Sequence, residues 1–135
     1  MTPFPFDIGI REPIGNARRM MMERKIHHLP VVDNHELKGL ISDRDIKLIL
    51  GPEFDYPDPK ELTVEDAMVD DPYVVDSETS VITVLDELAR RRIGAALVTK
   101  EGRLVGIFSA SDACREFSSW LKREFDGTSG GSDIA

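Results

Sequence analysis

The chain has 135 residues, of which 41% are hydrophobic and 31% charged, and a formal net charge of −8 at pH 7; these are ordinary values for a water-soluble globular fold. Such a charge disfavours non-specific binding to a nucleic-acid backbone, which needs local cationic surface, and no apolar run approaches the roughly 18 residues of a membrane span. The single cysteine, Cys114, excludes an internal disulfide and fits a reducing cytoplasm, the location also expected from a start that lacks the basic and apolar regions of a secretory signal.

In chain order, the first predicted element after the opening strand around Phe6 is a helix over residues 13–25. Pro13 suits its first turn, and Ile14, Ala17 and Met21 share one face. The run Met20-Met21-Met22 widens the apolar surface, either as gap-filling core or as a second face at a subunit interface. Leu29–Val32 and Leu37–Ile41 are strand-like, with Asp33, Asn34 and His35 supplying turn chemistry between them. Ser42 then opens a short amphipathic helix with Ile46, Ile49 and Leu50 inward, which Gly51-Pro52 ends. Residues 51–61 hold three prolines and four acidic side chains and read as a linker. Thr63 followed by Asp66 caps one helical turn. A second helix over residues 80–92 carries Val81, Val84, Leu85 and Leu88 on one side, with Ile82 and Ala89 flanking. The last helix offers Ala113, Cys114, Phe117, Trp120 and Leu121 as a stripe, in which Cys114 reads as packing. Residues 124–135 read as a flexible tail.

The two halves are copies. Position n of the first recurs at n + 67, as Gly39 and Gly106, Ser42 and Ser109, and Asp45 and Asp112 show. Each copy reads strand, helix, strand, strand, helix, which predicts an α/β fold of small mixed sheets covered by helices. The first repeat spans 1–50 and lacks the lead-in that Leu62–Met68 gives the second, which spans 62–123. Each half alone is too small to bury a sufficient core, so the two should pack together, and two broad apolar helices in equivalent positions predict a homodimer through residues 13–25 and 80–92.

The repeated Ser-x-x-Asp carries the chemistry. A serine at a strand-to-helix junction can cap the helix, whose N–H groups suit an anion, and the aspartate three residues on can accept hydroxyl hydrogen bonds of the kind a ribose diol offers. The same pair can also be a capping box that needs no ligand. Arg24, Lys25, Arg90, Arg91 and Arg92 lie at helix C-termini, where they either reach phosphates or complement the helix dipole. His27, His28 and His35 lack the spacing of a zinc site, and no nucleophile, base and orienting group can be assembled. No catalysis is expected.

Gly39-Leu-Ile-Ser-Asp-Arg-Asp45 and Gly106-Ile-Phe-Ser-Ala-Ser-Asp112 resemble the last strand and following helix of the cystathionine beta-synthase (CBS) domain, which occurs in tandem pairs. Ile26-His-His-Leu-Pro-Val-Val-Asp33 is similar to the segment upstream, and Asp66-Ala-Met68 to the family's opening. The resemblance covers nearly all of Met1 to about Lys122. It implies a pseudo-two-fold pair acting as a regulatory module, with AMP, ADP or ATP, alone or with Mg²⁺, in the cleft between repeats and no obligatory cofactor. Asp45 and Asp112 would hold ribose hydroxyls, with Ser42 and Ser109 nearby. Arg44, His27 and His28 would meet phosphate, and Ser111, Gly94 and Ala95 replace those three in the second repeat. Phe6 and Leu29 would line one base pocket, and Tyr73, Val74 and Ala96 the other. A regulated protein would be reached in trans. The alternatives are S-adenosylmethionine as ligand, or a dimerisation module whose sites have decayed.

Overall fold

The computed structural model describes residues 2–3, 6–53 and 57–125. The tail beyond 125, the middle of the linker and the first-repeat residues Met1, Phe4 and Pro5 lie outside the described residues. The elements are β1 (Thr2–Pro3), β2 (Ile8–Gly9), α1 (Ile14–Arg24), β3 (His28–Asp33), β4 (Glu36–Ser42), α2 (Asp43–Leu50), α3 (Val64–Ala67), β5 (Val74–Asp76), α4 (Val81–Arg91), β6 (Ala95–Lys100), β7 (Arg103–Ser109) and α5 (Ala110–Glu124). From β2 to α2, and again from β5 to α5, the order is the predicted strand, helix, strand, strand, helix. In each copy the first strand pairs parallel with the second, and the second antiparallel with the third.

Local chemistry sets the junctions. α1 and α4 end on left-handed residues, Lys25 (φ 56°) and Arg92 (φ 55°), the conformation that lets a helix close off its last carbonyls. Both hairpins turn through two residues with positive φ, Asn34-His35 and Glu101-Gly102, which matches the right-handed strand twist.

The chain divides into two compact units, and these are not the sequence repeats. The first runs over Pro5–Pro72, and the second combines Met1–Phe4 with Tyr73–Ala135. Within the first unit, Leu40 of β4 pairs with Val69, the opening of the second repeat. Within the second, Ile107 of β7 pairs with Thr2, the opening of the first. Leu40 and Ile107 are 67 positions apart, as are Thr2 and Val69, so each repeat lends its first residues to the last strand of the other.

In the first unit the predicted face of α1 is buried, with Ile14, Ala17 and Met21 packed against Leu29, Val31, Ile41, Ile46 and Leu50. The methionines divide: Met21 is core, whereas Met22 is 64% exposed. α3 closes this core with Val64, which is fully buried. In the second unit Val84 and Leu88 are buried against Ala96, but Val81 is 59% and Ile82 71% exposed. The expected stripe on α5 is also largely open, with Phe117 and Trp120 exposed and stacked on each other, centroids 6.2 Å apart. Cys114 is therefore exposed rather than packed, because nothing in the described chain covers that face.

Candidate functional site

Each Ser-x-x-Asp stands where the last strand of a repeat runs into its second helix. Ser42, extended, caps α2: its hydroxyl accepts the Asp45 N–H at 3.1 Å, and Asp45 Oδ2 accepts the Ser42 N–H at 2.9 Å. Ser109 and Asp112 repeat both bonds at the same lengths on α5. The capping box thus forms in both copies. The first N–H of each helix is used as well, Asp43 donating to the His27 carbonyl at 3.1 Å and Ala110 to the Gly94 carbonyl at 2.9 Å. With Asp43 and Asp45 both in the first turn of α2, the helix dipole is already met by carboxylates, which repel an anion.

The two aspartates differ in what remains. Asp45 is half-buried, and its Oδ1 has no protein partner among the described residues. Asp112 is buried, and its Oδ1 accepts Arg115 at 2.7 Å. Burial pushes the Asp112 carboxyl up, but the Ser109 backbone N–H, the Arg115 guanidinium and the Ser109 hydroxyl outweigh it and hold the group below its usual range. Leu48 stands at the position equivalent to Arg115.

His27 Nδ1 lies 2.8 Å from Asp43 Oδ2, with both side chains largely exposed. His28 sits directly across the ladder from Ser42, and Arg44 is exposed at the start of α2. Leu29 and Ala96 are fully buried, each within the core of its unit. That leaves Phe6, Tyr73 and Val74 accessible, and the two aromatics have a partner that sequence reasoning missed. The Arg24 guanidinium lies 4.6 Å over the Phe6 ring, and Arg91 lies 4.6 Å over Tyr73, a cation–π contact. Arg90 and Arg91 also grip Glu87, at 2.7 Å each, holding its carboxyl down to about 2, chiefly through Arg90. Lys25 and Arg92 are the left-handed helix caps. These basic groups are thus engaged locally: Arg24 and Arg91 over the rings, Arg90 on Glu87.

Beside α1 and α2 in the first unit lies an open depression of about 400 Å³ with an apolar floor of Met21, Ile26 and Ile46 and a basic rim that includes Lys25 and His27. Ser42 and Asp45 do not line it. Among the described residues no group of three or more histidine, cysteine or carboxylate side chains could hold a metal ion, and no helix is long and apolar enough to cross a membrane.

The profile of the CBS domain matches residues 1–51 and 64–119. The chain belongs to the CBS-domain family. Hypoxic response protein 1 of Mycobacterium tuberculosis is 32% identical over 109 residues, 80% of this chain and 75% of that protein. Inosine-5'-monophosphate dehydrogenase of Thermoplasma acidophilum is 31% identical over 79% of this chain, which spans only 20% of that enzyme. Among solved structures, CBSX2 in complex with AMP superposes with a TM-score of 0.75 at 22% identity, covering 89% of this chain and 94% of that one; it shares the CBS fold. The Ser-x-x-Asp junctions described above fall inside the two matched CBS segments.

Proposed function

We propose that this CBS-domain chain is a regulatory module that binds an adenine nucleotide, AMP, ADP or ATP, and carries out no reaction of its own. The observation that carries this reading is the unpaired Oδ1 of Asp45, held in place by the capping box and able to accept ribose hydroxyls through two lone pairs. Arg44, exposed one residue away, supplies the cation that a phosphate requires, and the AMP held by the similarly folded CBSX2 supports an adenosine ligand. The first-repeat aspartate is the stronger site: Asp112 already holds Arg115, and Ser111 replaces the arginine. Calorimetric titration with AMP, ADP, ATP and S-adenosylmethionine tests it. Arg44→Ala, a surface change, should weaken nucleotide binding about tenfold without altering the melting temperature, the loss expected for one charge-assisted hydrogen bond. Heat from none of the four compounds would overturn the reading.

The occupied Asp112 favours a second reading, in which the second-repeat site has closed and the pair of repeats serves assembly. Self-association through α1 and α4 belongs to this view, since Met22, Ile82 and Leu85 are exposed apolar side chains on those helices. Met22→Glu should then yield a monomer in light scattering, whereas Met21→Glu would unfold the first unit; a wild-type monomer at high concentration rules the interface out.

A further inference from the structure

The chain carries a formal charge of −8, yet the open depression of about 400 Å³ beside α1 and α2 is rimmed by three cations, Arg18, Lys25 and Lys47, against one carboxylate, Asp43. That carboxylate is already engaged, with Oδ2 lying 2.8 Å from His27 Nδ1. Lys25 and Lys47 are exposed, and neither forms an ion pair among the described residues. Between these charges the floor is apolar. Met21 and Ile46 are buried, Ile26 is half-buried, and Met22 is largely exposed.

The fold does not require this basic rim. In the second copy Leu85 replaces Arg18, Gly94 replaces His27, Ala110 replaces Asp43 and Cys114 replaces Lys47, and only Arg92 keeps the charge of Lys25. The helices α4 and α5 form without those groups. In the first unit, then, cations gathered around one apolar floor answer no structural need seen in the copy. Gathered like charges repel one another, and the field they set up draws an anion.

We propose that this depression binds a small amphipathic carboxylate, an alkyl acid whose apolar body covers Met21, Met22, Ile26 and Ile46 and whose carboxylate meets Lys25 and Lys47. Its volume falls in the range of small-molecule pockets, and methionine thioethers adapt to irregular apolar shapes. A single negative charge suits the rim better than a phosphate dianion, because Asp43 stands among the cations and repels each added charge. The site is separate from the nucleotide reading, since neither Ser42 nor Asp45 lines it.

The test uses the full chain, isotopically labelled, titrated separately with hexanoate, octanoate, decanoate, octanol and octylamine and followed by amide shifts. Octanoate should give saturable shifts at residues 18–27 and 43–47, and affinity should rise about threefold for each methylene that reaches the floor. Octylamine should bind more weakly than octanoate. Lys47→Glu, at an exposed position, should weaken octanoate about fivefold and leave octanol unchanged, which separates lost charge from a damaged floor. Equal binding of octanoate and octylamine would overturn the proposal, as would no shifts with millimolar decanoate. Displacement of octanoate by AMP would also overturn it, assigning the depression to the nucleotide. So would self-association of the protein that covers residues 18–27 and shuts octanoate out.

Discussion

A β-carbon built on Gly39 would lie 2.5 Å from the Val69 carbonyl oxygen and 2.9 Å from Met68 Sδ, since the crossing segment bonds to both sides of Leu40 at 3.0 and 2.8 Å. The glycine of the family-like motif thus serves a backbone approach rather than a ligand. Gly39→Ala should force Met68 and Val69 away and cost about 1–3 kcal/mol, read as a lower urea midpoint with unchanged nucleotide affinity. Asp112 gives a pH-dependent counterpart. Its carboxyl is held below its usual value, so the stability it adds is present above the unfolded-state pKa of about 4 and fades as pH falls through the lower folded value. Asp112→Asn should therefore lower stability at neutral pH and flatten the acid decline, as urea unfolding at a series of pH values would show. The serine and aspartate of each junction were legible in sequence because cap and carboxylate are three residues apart. Arg115, which shows that the second junction is occupied, was not singled out, although its three-residue spacing from Asp112 along the helix was a signal that could have found it. The stacking of Arg24 on Phe6 was not, because it depends on where the chain brings two residues 18 positions apart.

Helices and hairpins were read nearly to the residue. α1 and α4 begin after Pro13 and Ser80 and end before a left-handed cap, and the strands extend the predicted runs by one or two residues. These elements carry their own periodicity and turn chemistry. What the sequence concealed was partnership. The turn at Thr63 was recognised by its cap, and the capping box with Asp66 is present, but its side of the fold was hidden: it completes the core of the first unit, not of the repeat it introduces. A four-residue helix has no face from which to read a destination. Thr63→Ala should remove the cap and cost about 1 kcal/mol. Amide exchange should then accelerate over residues 8–17 and 64–69, with β6 and β7 unaffected.

At the scale of the chain, the duplication is plain at a constant offset, yet the compact units cut across it, since strands of two residues show no alternation. A variant lacking residues 1–3 should leave β3 and β4 protected and expose β7, where Thr2 and Pro3 pair with Ile107 and Gly106. Hydrogen exchange over residues 103–109 measures it.

That pairing also orders the events of synthesis. Chains emerge from the ribosome N-terminus first, and everything the first unit requires has been made once Pro72 is out. The opening strand, made earliest, must wait for β7, about a hundred residues later, to find its place, so closing that long loop is among the last steps. A nascent chain arrested after Pro72 has cleared the ribosome but before β7 has would hold a finished first unit with the strand at Thr2–Pro3 still unpaired.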